Sequence, residues 1–233
     1  MNIQPIAFVQ SGFKEKFGIP RQPGLVNTMQ SRIVLEAAYS SPDAVRGLEG
    51  CSHVWLVFIF SECVDKGWKP TVRPPRLGGN ERRGVFATRS PFRPNPIGLS
   101  AVTLDSIEIT GQQVSLLVSG ADLMDGTPIV DIKPYVPYSD CLPEAHFALA
   151  ENYQPLTLAV SFAPEAQQQL NEIERTQALP LKAQITEILR CDPRPAYQRD
   201  PNRCYGIRLH DYNIRWSIDD ITGIYVHTID HCA

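Results

Sequence analysis

The sequence predicts a mainly β fold, in which an N-terminal antiparallel β-barrel is followed by a small C-terminal α+β domain. Up to about residue 140, short β-type runs are separated by Gly and Pro residues, and helical patterns do not alternate with them. Many short strands of this kind form an antiparallel sheet that closes into a barrel or packs as a sandwich. After about residue 154, two amphipathic helical patterns precede further strands. We therefore expect a barrel domain over residues 1–150 and an α+β domain over residues 151–233.

The N-terminal strands are predicted from runs of β-branched and aromatic residues bounded by turn residues. Thr110-Gly111 separates the last two runs as a hairpin turn. One short helix is expected over residues 42–48, where Ser41 is the N-cap and Pro42 opens the first turn. The predicted strands cover residues 6–9, 33–35, 54–60, 85–88, 101–109 and 114–118.

The C-terminal elements follow from a change in hydrophobic period. Pro164 opens a predicted helix whose apolar residues recur at helical spacing, and a second such pattern covers residues 181–189. Residues 212–218 then alternate between apolar and polar side chains, as in a half-buried strand. Residues 221–229 can pair with that strand, so the second domain is expected to combine two helices with a small sheet.

Length and cysteine content limit the class of protein. A chain of 233 residues can bury a sizeable core without disulfides or structural metals. Its six cysteines are scattered and include no Cys-x-x-Cys pair, a pattern that is typical of reduced thiols. Cys51 and His53 alone are too few ligands to predict a metal site. The N-terminus lacks a secretory pattern and the longest apolar run is too short to cross a bilayer. We expect a soluble, cytoplasmic protein.

Charge is unevenly distributed along the chain. The formal net charge of -3 argues against a generic polyanion binder. However, residues 73–93 contain six arginines and one acidic residue, and residues 182–215 contain seven basic and four acidic residues. A mildly acidic protein can therefore present a basic face to nucleic acid, although such arginines can also do no more than solvate loops.

One motif dominates the N-terminal half. Residues 82–100 read Arg-Arg-Gly-Val-Phe-Ala-Thr-Arg-Ser-Pro-Phe-Arg-Pro-Asn-Pro-Ile-Gly-Leu-Ser. Each of the three prolines fixes φ and removes a backbone donor, so the segment predicts a stiff loop that carries Arg89 and Arg93. Loops positioned by a scaffold tend to carry function. The alternative is a proline-rich barrel corner whose arginines are merely solvated.

A second motif begins at Asp125 and reads Asp-Gly-Thr-Pro-Ile-Val-Asp-Ile-Lys-Pro-Tyr. Its glycine tolerates a left-handed φ and lets backbone approach a ligand, although an ordinary turn between strands has the same signature. Asp131, Lys133 and Tyr135 then share one face of an extended run, where they either face solvent or line a cavity. The chain has neither a Gly-x-Gly-x-x-Gly fingerprint nor a P-loop, so a nucleoside cofactor would be held differently.

Together with Pro20-Arg-Gln-Pro-Gly-Leu-Val26 and Asp192-Pro-Arg-Pro-Ala-Tyr197, these two motifs closely resemble the TrmO family, also called YaeB or TsaA-like proteins. The similarity runs over essentially the whole chain. It implies an S-adenosylmethionine-dependent methyltransferase built on a β-barrel instead of a Rossmann-like sheet. The substrate it implies is threonylcarbamoyladenosine next to the anticodon of tRNA, methylated on the exocyclic nitrogen, and the family is dimeric.

The resemblance also implies where the cofactor binds. Backbone groups and short side chains from several barrel loops are expected to hold S-adenosylmethionine. Carried over by matching motif, the cofactor-binding residues are Pro23, Gly24, Leu25, Val64, Asp65, Phe86, Ala87, Thr88, Arg89, Leu99, Asp125, Gly126, Thr127, Pro128, Ile129 and Val130.

Methyl transfer to this substrate needs a general base. The accepting nitrogen belongs to a urea-like group and must lose a proton, so a carboxylate or phenolate within hydrogen-bond reach is expected. Arg93 suits the threonine carboxylate, because a guanidinium matches a carboxylate bidentately. Lys133 can lower the pKa of a nearby phenol. The candidate bases are Asp131, Tyr135, Tyr138 and Tyr197.

The C-terminal string mixes arginines with aromatic residues. Such a mixture suits RNA loops, where bases stack on tyrosine and arginine meets phosphate, although it is also found in a proline-rich connection that feeds a strand. The predicted RNA-binding residues are Arg194, Arg199, Arg203, Tyr205 and Arg208. Two rival functions stay open: a barrel that binds a nucleotide or RNA without chemistry, and a methyltransferase that acts on a small metabolite.

Overall fold

The computed structural model describes residues 2–74, 81–148, 150–151, 154–194, 200, 203–219 and 221–232. Six antiparallel strands close a barrel in the order β1-β2-β7-β6-β3-β8, and β4 pairs with β5 in a separate two-stranded ladder. These strands are β1 (Ala7–Gln10), β2 (Gln30–Leu35), β3 (His53–Ile59), β4 (Thr71–Val72), β5 (Arg83–Gly84), β6 (Ile97–Thr110), β7 (Gln113–Ser119) and β8 (Pro128–Pro134). The predicted antiparallel barrel is thereby confirmed.

Apolar side chains fill the barrel interior. Alternate residues of each strand point inward, as the two-residue period of a strand requires, and form one continuous core. Gly98 belongs to this packing, because a Cβ atom there would lie 2.2 Å from the ring of Phe58 on the neighbouring strand. The interior is therefore a packed core with no room for a cofactor, and ligands must bind outside it.

Two predicted N-terminal elements differ from the structure. Residues 85–88 were expected to form a strand, but Val85–Ala87 is a single 3-10 turn, and the Thr88 hydroxyl donates to the Val85 carbonyl oxygen. Residues 42–48 were expected to form a helix, but the backbone makes two short 3-10 turns there. Ser41 does accept a hydrogen bond from the Asp43 amide, so the N-cap was read correctly.

The C-terminal part combines helices with a second sheet. Strands of this sheet lie in the order β10-β11-β12-β9, and β9 is parallel to β12. Alternation along β11 buries Trp216 completely, as the sequence predicts. The elements are α1 (Pro137–Asp140), β9 (Val160–Phe162), α2 (Pro164–Gln177), α3 (Leu181–Arg190), β10 (Tyr205–Leu209), β11 (Tyr212–Asp219) and β12 (Gly223–His231). No helix of the described residues is long and apolar enough to cross a membrane.

The segment between β1 and β2 connects the two cores. Phe13, Val26 and Met29 are buried with the C-terminal helices and sheet, not with the barrel. Phe13 also forms a bridge with Leu209 on the edge strand β10, and the His210 amide donates to the Gly12 carbonyl oxygen. This part of the N-terminal sequence thus packs with the second domain, and the division at residue 150 stays a prediction.

Candidate functional site

The predicted cofactor segments meet at one end of the barrel. Because neighbouring strands are antiparallel, the segments that follow β1, β3 and β7 leave the barrel on the same side. These connections span residues 11–29, 60–96 and 120–127. These connections contain the predicted cofactor residues 23–25, 64–65 and 86–89. The predicted stretch 125–130 begins in the third connection and continues into β8. The fold therefore brings together stretches that are about 100 residues apart in sequence.

Direct contacts join these connections to one another. The Gly24 amide donates to the Gly120 carbonyl oxygen at 2.8 Å, and Arg89 donates through Nη1 to the Gln22 side-chain oxygen. Lys16 and Glu62 form an ion pair at 3.5 Å. Gly24 has a φ of 76°, and among the described residues other than its two neighbours no atom lies within 4 Å of where its Cβ would be. The backbone at Gly24 therefore faces open space that a ligand can occupy.

Arg93 holds the proline-rich loop in shape. Its Nη1 donates to the carbonyl oxygens of Val85 (3.1 Å) and Thr88 (2.7 Å), and its guanidinium lies 5.5 Å from the centre of the Phe86 ring. These contacts fix the conformation of a loop that has no regular backbone hydrogen bonding. Ala87 is exposed at the tip of the loop, and its neighbour Phe86 is 72% exposed. Binding of a substrate carboxylate by the rest of the guanidinium stays a prediction.

Polar side chains of the 125–130 turn form hydrogen bonds and an ion pair with other groups of the protein. Asp125 accepts from the Ser11 amide at 2.9 Å and pairs with Lys14 at 2.8 Å. The Thr127 hydroxyl donates to a backbone carbonyl oxygen at 2.7 Å. Ile129 is fully buried in the barrel core, so its side chain cannot contact a ligand. Gly126 is exposed, whereas Pro128 and Val130 are half-buried at the start of β8.

The predicted catalytic residues of β8 lie on the outer face of the barrel. Leu99, Val57 and Asp131 form one row across β6, β3 and β8, so a predicted cofactor residue and a predicted base share this face. Asp131 forms an ion pair with Lys133 at 2.7 Å. The Tyr135 ring follows them, 5.5 Å from the ring of Trp55. The expected methyl-transfer cavity is thus an open face in this chain.

The remaining predicted cofactor residues also lie at the surface. Val64 and Asp65 belong to the 3-10 turn after β3, and both are exposed. Pro23 and Leu25 flank the open Gly24 and are half-buried. Tyr138, a candidate base, is 94% exposed in α1 beyond the far end of β8. One chain therefore presents these groups without enclosing them.

Sequence reasoning missed Asp122. Its Oδ1 accepts a hydrogen bond from the buried Ser100 hydroxyl at 2.6 Å, and the residue lines a cleft of about 60 Å³. Burial raises the pKa of the Asp122 carboxyl, while the Ser100 hydrogen bond and the positive charge of Arg89 act in the opposite direction. The only sequence signal was a carboxylate between Ala121 and Leu123, just before the Asp125 turn.

The C-terminal candidates separate into buried and exposed residues. Arg194 pairs with Asp192 through Nε (2.9 Å) and Nη2 (3.1 Å), and its side chain is only 10% exposed. Tyr205 is 6% exposed and stacks on Trp216, so its ring is not offered to a base. Both therefore have structural roles in this chain. Arg203 and Arg208 are exposed, whereas Tyr197 and Arg199 lie outside the described residues.

Comparison with known proteins covers both parts of the chain. The family description "tRNA-methyltransferase O N-terminal domain" matches residues 8–141, and "TrmO C-terminal domain" matches residues 155–231. This chain belongs to the TrmO family. The family resemblance inferred from the motifs is thereby confirmed.

Individual TrmO relatives are similar along their whole length. A tRNA (adenine(37)-N6)-methyltransferase of Escherichia coli (strain K12) is 48% identical over 219 residues, covering 93% of each chain. A putative S-adenosylmethionine-dependent methyltransferase of Pseudomonas aeruginosa is 44% identical, over 92% of this chain and 91% of that protein. The crystal structure of TrmO from Pseudomonas aeruginosa superposes with a TM-score of 0.81 at 35% identity, covering 99% of this chain and 98% of that chain.

Proposed function

We propose that this chain is a cytoplasmic tRNA (adenine-N6)-methyltransferase that uses S-adenosylmethionine, and that its target adenosine next to the anticodon carries a threonylcarbamoyl group. Support for the reaction comes from full-length relatives, one of which is named a tRNA (adenine(37)-N6)-methyltransferase. The observation that carries the proposal is the convergence of the predicted cofactor loops at one barrel end. Two contacts between these loops, Gly24 with Gly120 and Arg89 with Gln22, support the proposal because they join distant motifs.

The residues at this end fit a nucleoside cofactor. Gly24 offers backbone beside open space, and the exposed side chains of Phe86 and Leu99 offer apolar surface to an adenine ring. S-adenosylmethionine supplies an electrophilic methyl group on a positively charged sulfur. The task of the protein is to align donor and acceptor in a dry site, which can lower a barrier by roughly 7–11 kcal/mol.

A nearby protein group must take the proton from the accepting nitrogen. Asp131 is the favoured base of those predicted, because it shares a barrel face with Leu99. Lys133 forms an ion pair with this carboxylate at 2.7 Å. Arg93 is proposed to bind the threonine carboxylate through the guanidinium nitrogens that the loop carbonyls do not use.

A second subunit is proposed to complete the site. Four large apolar side chains near the cofactor loops are each more than half exposed: Val64 (53%), Trp68 (54%), Phe86 (72%) and Leu99 (53%). Large exposed apolar side chains can belong to interaction surfaces, and a homodimer would cover them while excluding water from the reacting groups. Equilibrium sedimentation tests this proposal, and a monomer at working concentration would contradict it.

Recognition of tRNA is assigned to exposed arginines of the C-terminal domain. Arg203 and Arg208 point to solvent, and Arg199 belongs to the same string. Arg194 is left out of the RNA contacts because Asp192 already satisfies it. Division of labour between the two domains is expected, with the barrel holding the donor and the second domain holding RNA.

The decisive experiment is transfer of a labelled methyl group from S-adenosylmethionine to bulk tRNA, followed by mass spectrometry of the nucleosides. We expect label only in threonylcarbamoyladenosine, and none in tRNA that lacks this modification. Equal labelling of unmodified adenosine would contradict the proposed substrate. Binding of donor and tRNA without transfer would favour a non-catalytic binding protein, and labelling of a small metabolite alone would favour the other rival.

A further inference from the structure

One face of the C-terminal sheet lies at the protein surface. On the other face, inward residues such as Trp216 and Val226 share a core with the buried residues of α2 and α3. Successive side chains of a strand point to opposite sides of a sheet, so the residues between the buried ones point outward. We call this outward set the open face: Ser161 on β9, Gly206 and Arg208 on β10, Asn213, Arg215 and Ser217 on β11, and Tyr225, His227 and Thr228 on β12.

A β-bulge on β12 adds a polar side chain to the open face. Arg215 pairs with Thr228 but the next residue, Trp216, pairs with Val226, so β12 has one residue more than β11 at this point. His227 and Thr228 are neighbours in sequence, yet both lie outside the core. Bulges are frequent beside functional sites, where they change the direction in which a side chain points.

Two aromatic rings lie side by side on the open face. Tyr225 is 39% exposed, and its ring centre lies 5.1 Å from that of His227, with an angle of 73° between the ring planes. Ser217 holds His227 from the neighbouring strand, since its hydroxyl oxygen lies 2.9 Å from the imidazole Nε2. A ring that is held in place before binding loses little rotamer freedom when a planar ligand stacks on it.

Two arginines supply positive charge to the same face. Arg208 pairs with Asn213 and Arg215 pairs with Gly206, so the two arginines are diagonal neighbours on adjacent strands. Both are exposed. In the part of the chain that the structure describes, neither guanidinium forms an ion pair or a hydrogen bond, and Arg208 donates only through its backbone amide, to Glu15. Both charges are therefore available to a ligand.

This combination of groups fits unpaired nucleotides. Guanidinium groups bind phosphate oxygens, and exposed aromatic rings stack with bases that are not already stacked in a duplex. The open face has no aliphatic side chain, whereas the centre of a protein interface is usually apolar. Carboxylates at its edges have other partners, because Asp219 accepts from two amides of the turn after β11 and Asp230 accepts from Thr228. Charge complementarity therefore favours RNA over a protein partner.

We propose that the open face binds unpaired nucleotides of a tRNA loop, with a base stacked on Tyr225 and phosphates at Arg208 and Arg215. The inference rests on the proposed function, because it takes tRNA as the ligand. It adds a stacking surface to the phosphate contacts already assigned to the C-terminal domain. Phosphate contacts alone bind a loop and a duplex alike, whereas stacking makes the surface selective for nucleotides that are not paired.

Tyr225→Ala removes the stacking ring. Fluorescence anisotropy with an RNA hairpin that carries the tRNA anticodon loop should show about 5- to 150-fold weaker binding, the loss expected for one stacked base. Tyr225→Phe keeps the ring and should bind within about twofold of wild type. In Tyr225→Ala the slope of log affinity against log salt should not change, because stacking releases no counterions. A duplex in which the loop nucleotides are paired should bind the wild type and Tyr225→Ala equally.

Arg215→Ala tests the charge on the same face. This variant should weaken the binding of both RNAs and lower the salt slope by about 0.7–0.9, because one phosphate contact is lost. The matched control is Arg175→Ala, which removes the same residue type from the exposed surface of α2, on the helix side of the same domain. Its affinity for both RNAs and its salt slope should equal those of the wild type.

Three results would overturn the assignment. Unchanged hairpin affinity in both Tyr225→Ala and Arg215→Ala would leave the open face to a protein partner. Equal losses for hairpin and duplex in Tyr225→Ala would mean that the ring supports the domain and does not stack on a base. Losses of the same size in Arg175→Ala would show that the effect does not depend on the open face. Wild-type protein that binds neither RNA and transfers no methyl group would instead refute the proposed function itself.

Discussion

The proline-rich loop at the barrel end and the Asp192–Arg194 string of the C-terminal domain have similar sequences but use their arginines differently. Arg93 is half-buried and donates to the carbonyl oxygens of its own loop. Arg194 is buried and is held by the carboxylate of Asp192. Arg89 of the first string is exposed, and so is Arg203, which follows the second string in the sequence. An arginine in a proline-rich motif can therefore be engaged by the protein itself, and the motif alone does not mark it as ligand-binding.

The largest expected effect is on stability. Arg194→Ala removes the guanidinium that pairs with the buried Asp192 carboxylate, and breaking a buried ion pair on one side typically costs about 3–5 kcal/mol. Chemical denaturation followed through Trp216, which is buried in the C-terminal core, measures the change. Arg203→Ala is the control and should cost about 1 kcal/mol or less, because Arg203 is exposed and loses only its contact with the Tyr205 ring. A stable Arg194→Ala protein with weakened tRNA binding would show that Arg194 contacts RNA after all.

Arg93→Lys should affect catalysis more than cofactor binding. A lysine can donate to the loop carbonyls but cannot form a bidentate pair with a carboxylate. We expect kcat/KM on threonylcarbamoylated tRNA to fall by about tenfold or more, with unchanged S-adenosylmethionine affinity. If Arg93→Lys weakens cofactor binding instead, the loop conformation is the main contribution of this arginine.

Joint replacement of Arg203 and Arg208 by alanine tests the exposed arginines. Removal of two phosphate contacts should raise the KM for tRNA and lower the slope of log affinity against log salt by about 0.7–0.9 per contact. Cofactor affinity should not change, since both residues lie outside the barrel. An unaltered salt slope would place the RNA on a different surface.

A smaller effect is expected for Arg89→Ala. Loss of its hydrogen bond to Gln22 should loosen two cofactor loops and weaken S-adenosylmethionine binding by about two- to tenfold. Arg82→Ala is a suitable control, because Arg82 is also exposed and donates to Thr71 in the same connection. Identical affinities of the two variants would place Arg89 outside the site.

The smallest effect concerns the contact between the β1–β2 segment and the C-terminal domain. His210 packs against Gly12 and its Nε2 lies 2.9 Å from the Gln184 side-chain oxygen. Burial, together with the charge of Lys14, lowers the pKa of His210 below its ordinary value. The unfolded state therefore binds the proton more readily, so stability should decline as pH falls below about 6.5. In His210→Gln, this part of the acid dependence of thermal unfolding should disappear.

Sequence patterns predicted most elements because the hydrophobic period is a local property. The 212–218 alternation became β11, and the apolar stripes after Pro164 and over 181–189 became α2 and α3. The prediction failed at residues 85–88, where β-branched and aromatic residues resemble a strand. Hydrogen bonds from Arg93 close a turn there, and a contact across several residues of an irregular loop leaves no periodic signal.

Motifs in the sequence named the loops of the candidate site but not which side chains remain available to a ligand. Asp125 and Asp122 show the difference. Asp125, in the recognisable motif, is engaged by Ser11 and Lys14. Asp122, which no motif marked, accepts from the Ser100 hydroxyl on strand β6 and from its own backbone amide. The hydrogen-bond partners of a side chain come from distant strands and loops. The number of these partners therefore cannot be predicted from the residues next to it in the sequence.

By itself, the sequence determined the family, the barrel, the second domain and the loops that carry the motifs, because each depends on local patterns or on matching strings of residues. Tertiary structure alone decided that Asp131, Lys133 and Tyr135 face outward, since strand register fixes which side of a closed sheet each residue occupies. It also decided that Arg194 and Tyr205 are buried. Burial and pairing depend on where the chain returns in space, and that information is spread over contacts between residues far apart in the sequence.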